Sequence, residues 1–323
     1  MTSTQLAEAS NFAVYATMVT LAIAMVAFAA SFAAGRRPST SSARAAVDET
    51  VVAEGGTAVL VRTQAPASAA PLEPGRRAAN VGMSLTWLAF GLLFVGVVLR
   101  GVWAGRVPWG NMYEFSITAS LGVLGVFLFA SIRRDLRWLG LFVVTPTLLW
   151  LGLAVTVLYS DAAQLVPALK SYWLVIHVSA AIISFGAFSF SAATATLGLL
   201  RKRAERRAAS TDLTGWLSRV PTAERLDTLT GRVIAFAFPL WTFAVVAGAI
   251  WAENAWGRYW GWDPKETWAF ITWVVYAAYL HARSTAGWRD KSNWIALIGY
   301  ATFIINYFGV NIFASGLHSY SGM

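Results

Sequence analysis

The sequence predicts an all-α integral membrane protein, a polytopic bundle of about eight transmembrane helices with the N-terminus and the C-terminus both outside. Three observations indicate this fold. Of its 323 residues, 57% are hydrophobic and only 13% are charged, which is too few charges to solvate the exterior of a soluble globule. Successive apolar stretches are long enough to cross a hydrocarbon core of ~30 Å. Basic residues gather between alternate stretches, as they do in the cytoplasmic loops of membrane proteins.

The distribution of positive charge gives the predicted orientation. The net charge is +9, which by itself would also suit a nucleic-acid partner. Most Lys and Arg residues, however, lie in the segments assigned to the inner side. The outer segments hold only Arg100, Arg106, Lys170, Arg258 and Lys265. This bias follows the positive-inside rule, so we interpret the charge as membrane topology and predict no nucleic-acid partner.

The chain begins with a predicted transmembrane helix, residues 1–34, whose apolar part is 11–34. No Lys or Arg precedes this apolar run, whereas a secretory signal peptide begins with positive charge, so we expect a retained helix. Residues 35–79 are rich in Ala, Ser, Thr, Pro and Arg and lack a helical period. They predict a cytoplasmic low-complexity linker.

Residues 80–323 are predicted to form one membrane domain that contains the remaining spans. These are residues 79–99, a third span that ends at Arg133, and then 138–159, 173–200, 233–252, 264–283 and 294–314. The basic connection 201–232 is predicted to lie on the inner side, with an amphipathic helix as one candidate structure. With eight spans, the C-terminus returns to the outer side.

The external segment 253–268 stands out because tryptophans alternate there with polar and charged residues: Trp256, Trp260, Trp262 and Trp268. An interfacial aromatic belt is the simpler explanation for tryptophan at a membrane boundary. A helical turn, however, would place Trp256 and Trp260 on one face. The spacing therefore also suits a broad aromatic platform for a flat ligand.

The charged end of this segment predicts the start of a helix. Asp263 suits the N-cap, Pro264 the first helical position and Glu266 the third. A helix N-terminus also attracts anions. Arg258 and Lys265, the basic residues nearby, are therefore candidates to pair with ligand carboxylates.

The presence of three histidines and the absence of cysteine limit the kinds of chemistry that this chain can perform. The absence of Cys excludes thiol catalysis and Cys-ligated metal centres within this chain. His177 and His318 are both predicted near the outer side, at the level of the tryptophans, and His281 near the inner side. Two neutral imidazoles facing an aromatic surface suit the axial positions of a haem iron. Zinc would need more ligands, and a proton relay remains open for His281.

Several motifs together carry a resemblance to a known family. Residues 256–268 read WGRYWGWDPKETW, and further matches occur at Pro108 to Glu114, around His177, at residues 279–283 and at residues 316–320. They resemble the WWD signature and accompanying motifs of the CcsA/ResC haem-handling proteins of System II cytochrome c biogenesis, labelled CcsB in actinobacteria. The resemblance covers roughly residues 80–320. System I proteins share the signature, but the chain length, the span count and the C-terminal motif favour System II.

The resemblance implies a site and a function. His177 and His318 match the external histidines that hold haem against the WWD segment, and His281 matches a transmembrane haem ligand. The expected contacts are Trp256, Arg258, Trp260, Trp262, Asp263 and Trp268. The cofactor would be b-type haem, bound non-covalently in transit and kept reduced. No side chain is expected to act as a nucleophile.

The resemblance also implies partners and a location. The chain would be one subunit of a holocytochrome c synthase of the haem lyase type in a bacterial plasma membrane, with its active site on the external face. It would require a ResB-type partner, which supplies the second transmembrane histidine, and apocytochrome c with its Cys-x-x-Cys-His motif. A thioredoxin-like reductant is a further expected partner. Two other functions remain open from the residues alone, a haem-b electron carrier and a transporter of another small molecule.

Overall fold

A computed structural model describes residues 2–34, 75–162, 170–208 and 215–318, and within these ranges the chain is helical and contains no strand. Eight long helices account for most of it. They are α1 (Ser3–Ala33), α2 (Arg76–Ala104), α3 (Met112–Arg133), α4 (Gly140–Thr156), α5 (Tyr172–Ala208), α6 (Ala223–Trp256), α7 (Pro264–Ser284) and α8 (Ser292–Ile304). The predicted all-α fold with about eight helices is thus confirmed.

Seven of these helical segments are long and apolar enough to cross a membrane, and α7 is the exception. Its 21 residues would span about 30 Å at the rise of an α-helix, so its length is sufficient. Its lower hydropathy reflects many Trp and Tyr residues and charges at both ends, which suit the two membrane interfaces. The chain is therefore a multi-pass membrane protein.

Small residues let the helices of the bundle approach closely. Gly122 of α3 and Gly186 of α5 lie at one crossing, where a Cβ on Gly186 would stand 2.8 Å from the Gly122 carbonyl oxygen. In the α1–α2 hairpin, Ser10 donates to the carbonyl of Gly96 at 2.8 Å. Packing through Gly, Ala and Ser is the usual solution in lipid, where apolar surface gains little by leaving the solvent.

Two apolar cores meet at α5. One is formed mainly by α1 to α4, and the other by α5, α6, α7 and α8. Large apolar side chains such as Phe12, Leu149 and Phe236 point outward and are more than half exposed, as lipid-facing residues should be.

The start of α1 and residue 318 lie at the same end of the bundle, which we call the Trp-rich end because it carries residues 257–263. The Trp103 indole at the end of α2 donates to Ser3 at 3.0 Å, and Asn111, which precedes α3, lines one cavity with His318. An even number of spans requires this arrangement. Which membrane face this end occupies stays a prediction.

Several predicted boundaries differ from the structure. Helix α5 runs on to Ala208 and α6 begins at Ala223, so much of the predicted basic connection 201–232 belongs to the two longest helices. The rest contains a short 3-10 turn, Trp216–Arg219. Helix α2 begins at Arg76, inside the predicted linker 35–79, most of which lies outside the described residues.

A buried ionic network anchors the loop between α2 and α3. Glu114 and Arg100 are fully buried, with Arg100 Nε donating to Glu114 Oε1 at 3.1 Å. Arg106 Nη1 donates to the other carboxylate oxygen at 2.7 Å, as does the Gly110 amide at 2.8 Å. Asn111 then caps α3 by accepting from the Glu114 amide. This network fixes the loop that carries Trp109 to the cavity described next.

Candidate functional site

A cavity opens at the Trp-rich end of the bundle, between the first turns of α3, α5 and α7 and the last turns of α6 and α8. The space between the atoms of its lining, counted together with its open mouth, is about 1170 Å³. Its lining includes His177, Trp251, Trp260, Lys265 and His318. The structure therefore brings together two of the three histidines and part of the tryptophan segment.

His177 projects from α5 toward α6. Its Nδ1 lies 2.7 Å from the carbonyl oxygen of Ala244. Because a carbonyl oxygen only accepts hydrogen bonds, Nδ1 must carry the hydrogen, and the lone pair is then on Nε2. Gly248 provides the room, since a Cβ there would stand 2.7 Å from His177 Nδ1. The Trp251 ring lies parallel to the imidazole, within 8° and at 6.2 Å between centroids.

His318 reaches the same cavity from the C-terminal segment. Its Nδ1 lies 3.0 Å from Asp263 Oδ1, and its ring meets the edges of Trp256 at 4.7 Å and Trp251 at 5.5 Å. Burial lowers the pKa of His318 to about 4, although the Asp263 carboxylate opposes this shift. The ring is neutral at pH 7. A carboxylate oxygen accepts, so Nδ1 again carries the hydrogen and Nε2 the lone pair.

Asp263 connects the start of α7 to the C-terminal segment that carries His318. It caps α7, as predicted, with the full capping box formed by Glu266, and its Oδ2 also accepts from the Leu317 amide at 2.7 Å. Gly316 permits this approach, because a Cβ there would stand 2.4 Å from Asp263 Oδ2. Burial alone would raise the pKa of Asp263. The hydrogen bonds from the Leu317 amide and His318 lower it by more than burial raises it, so the net pKa lies below the usual value.

The chain between α6 and α7 is not the helical turn that the spacing of Trp256 and Trp260 suggested. Helix α6 ends at Trp256 with Gly257 in the left-handed region at φ 69°, and residues 258–263 are non-helical. Glu266 reaches back to hold this stretch, accepting from the Gly261 amide at 2.8 Å and the Asp263 amide at 3.1 Å. Side-chain bonds to the backbone thus override the i, i+4 pattern.

The predicted tryptophans accordingly have different surroundings. Trp260 lines the cavity, and Trp256 packs on His318. Trp262 is 65% exposed and meets Trp260 edge-on at 5.8 Å. Trp268 is partly buried on the first turns of α7 and is not among the residues that line the cavity.

Arg258, predicted as a ligand contact, is engaged within the protein. Its guanidinium donates to Glu266 Oε1 at 2.9 Å and lies 5.7 Å from the Trp256 ring. In this arrangement it stiffens the segment and does not line the cavity.

His281 lies far from the other two histidines. It is exposed near the opposite end of α7, about 25 Å along the helix from Pro264 at the usual rise per residue. Within the described ranges no group of three or more His, Cys, Asp or Glu side chains is placed to hold a metal ion.

The sequence interpretation missed several residues of the cavity. Ala244, Gly248 and Trp251 share one face of α6. The Ala244 carbonyl accepts the hydrogen bond of His177, Gly248 leaves room for the imidazole ring, and the Trp251 ring lies parallel to it. Their spacing of four and three residues was visible, but small residues at helical spacing are common wherever membrane helices pack. Only the position of His177 opposite them distinguishes this face.

The sequence is similar to those of known proteins. The family model described as "Cytochrome C assembly protein" matches residues 109–318. The chain is 37% identical over 256 residues to the cytochrome c biogenesis protein CcsA of Guillardia theta, covering 74% of this chain and 85% of the relative. It is 35% identical over 287 residues to CcsA of Microcystis aeruginosa, covering 74% and 87%.

A solved structure shares the fold. The cytochrome c heme lyase CcmF superposes with a TM-score of 0.62 at 14% identity, covering 95% of this chain and 47% of that chain. This chain thus corresponds to about half the length of that protein. At such low identity the likeness concerns the arrangement of helices alone.

Proposed function

Because the chain belongs to the cytochrome c assembly protein family, we propose that it binds haem between His177 and His318 and presents it for thioether attachment to the Cys-x-x-Cys-His motif of apocytochrome c. The observation that carries the proposal is the matched state of the two imidazoles. Each has Nδ1 bonded to an acceptor, which leaves the Nε2 lone pair available to iron, and both contact Trp251 at one cavity. In metal sites, an acceptor bonded to the ring nitrogen that does not bind the metal orients the histidine in the same way.

The reaction needs positioning more than side-chain chemistry. A thiol adds across a haem vinyl group: the S–H bond breaks, an S–C and a C–H bond form, and no net oxidation occurs. Holding the macrocycle in one orientation supplies much of such a rate enhancement. The absence of Cys from this chain is consistent with both thiols coming from the apocytochrome. In this role the chain acts as a subunit of a holocytochrome c synthase.

We assign His281 to a second haem contact, completed by a ResB-type partner. Two observations support this assignment, the exposure of His281 and its position near the end of α7 opposite the tryptophans. In this proposal haem is b-type and non-covalent in transit from the His281 level to the Trp-rich end. A thioredoxin-like protein would keep the apocytochrome thiols reduced.

The haem site is tested with cavity variants. His177→Gly and His318→Gly, each purified in complex with the partner, are expected to lose the absorption spectrum of bis-histidine haem and to form little holocytochrome c. Added imidazole should restore both, because the small ligand fills the space left by the side chain. Tyr172→Gly, which removes an exposed ring earlier on α5, is the matched control and should keep its haem. Unchanged spectra in both histidine variants would remove the site assignment.

The orientation is tested separately with reporter fusions. We propose that the Trp-rich end faces the outside of a bacterial plasma membrane. A periplasm-active phosphatase fused to the C-terminus should therefore be active, and the same enzyme inserted at residue 60 should be inactive. The reverse pattern would place the cavity on the cytoplasmic side and contradict delivery of haem to an external apocytochrome.

A further inference from the structure

The cavity has one polar wall that the histidines and tryptophans do not explain. Lys265, on the first turn of α7, lines the cavity and donates to Asn311 Oδ1 at 3.0 Å, with its ammonium 5.8 Å from the Tyr307 ring. Among the described residues no carboxylate lies within ion-pair distance of it, whereas the neighbouring Arg258 is paired with Glu266. Lys265 is partly buried, and although the charge of Asp263 acts on it from a longer distance, burying a cation without an ion pair is costly.

Two polar groups in the cavity wall are buried without partners. Asn306 is 6% exposed, lines the cavity, and its Oδ1 has no hydrogen-bond partner. Trp241 is 4% exposed, also lines the cavity, and its Nε1–H has no acceptor. Buried polar groups are satisfied in most native structures, so the Trp241 N–H is available to an accepting ligand atom, whereas Asn306 Oδ1 requires a donor.

The local backbone is arranged to aim this wall inward. Helix α8 continues through a π-helical turn, Ile305–Gly309, into a last α-helical turn, Val310–Phe313. The π turn carries Asn306 and Tyr307, and the last turn carries Asn311, all of which line the cavity. Single π turns of this kind frequently occur at functional sites.

Much of the remaining lining is apolar, as Phe115, Leu174, Val178 and Phe303 illustrate, and its other polar members include Asn111 and Glu266, which accept hydrogen bonds within the protein. The complementary ligand is a largely apolar body with an anionic group at one edge. We propose that Lys265, held by Asn311, forms a carboxylate subsite that receives a haem propionate and sets which edge of the macrocycle points to α8. This inference rests on the proposed function, because it takes haem as the ligand of the cavity.

The test compares haem with its dimethyl ester, which keeps the iron and the macrocycle but lacks the carboxylates. Each is titrated into the purified complex and followed by its absorption spectrum. Wild-type protein is expected to bind haem at least about tenfold more tightly than the ester, the size of a charge-assisted hydrogen bond in a partly buried site. Lys265→Met should bind the two ligands equally, at the affinity of the wild type for the ester. Lys265→Arg should keep the preference for haem.

Lys170→Met removes an exposed lysine assigned to the same side of the membrane and should leave the preference unchanged. Equal affinity of the wild type for the two ligands, with a bis-histidine spectrum in both cases, would overturn the carboxylate subsite and leave the proposed function standing. No bis-histidine spectrum with either ligand would overturn both. The wild-type comparison alone is decisive even where a lysine variant fails to fold.

Discussion

Replacing Asp263 with alanine is expected to lower haem affinity at the cavity by about 10- to 100-fold, the usual effect of removing the acceptor behind a metal-binding histidine. The variant loses the bond that fixes the Nδ1 hydrogen of His318 and the bond to the Leu317 amide. Without them the C-terminal segment no longer holds the ring in place. Haem titration of the purified complex and the yield of holocytochrome c measure the effect.

Asp263→Ser separates this role from helix capping. Serine is a good N-cap, so α7 should keep its start, whereas alanine costs about 1 kcal/mol there. The shorter side chain cannot hold both His318 and the Leu317 amide. We expect the serine variant to have the thermal stability of the wild type. Its haem affinity should be as low as that of the alanine variant. A serine variant with full haem affinity would reduce Asp263 to a cap.

Glu114→Ala is expected to destabilise the protein by about 3 to 5 kcal/mol, because it leaves a buried charge without its partner. Arg100 has no exposed surface and would retain its charge, and Arg106 and the Gly110 amide would lose their acceptor as well. Thermal unfolding in detergent, followed by circular dichroism, measures the change. Haem affinity should fall with it, since the same loop carries Trp109 to the cavity.

Asp135→Ala is the matched control for an ion pair at the surface. Asp135 pairs with Arg137 at 2.8 Å but is 62% exposed at its side chain, and pairs of this kind contribute at most about 1 kcal/mol. A loss in Glu114→Ala no larger than in this control would show that the buried network contributes little to stability.

The start of α7 was predictable because capping is local. The side chains that begin this helix lie within four residues of one another, and their order along the chain is the signal itself. The length of α5 was not predictable from hydropathy, since its basic last turns lie beyond any apolar window. Within those turns Arg201 pairs with Glu205 one turn later, a spacing that favours the helix modestly.

The histidine partners show what a linear reading cannot supply. Nothing near His177 in sequence indicates that Ala244, on another helix, accepts its hydrogen bond. Asp263 was predicted as a cap, and its contact with His318 spans more than fifty residues. Lys265 is predicted as a candidate for carboxylates, but its place in a cavity wall beside Asn311 and Tyr307 depends on the packing of α7 against the last turns after α8.

The class of protein, the succession of helices, the start of α7 and the concentration of tryptophan near one end can all be predicted from the linear sequence. These features depend on hydropathy, charge distribution and caps, which act over one helix or one turn. The packing of the helices adds that the tryptophan segment is a non-helical loop held by Glu266, which nitrogen of each imidazole carries the lone pair, and which cation lines the cavity without an ion pair. These features depend on contacts between segments that are distant in sequence. Such contacts contribute to stability only once the helices have packed together.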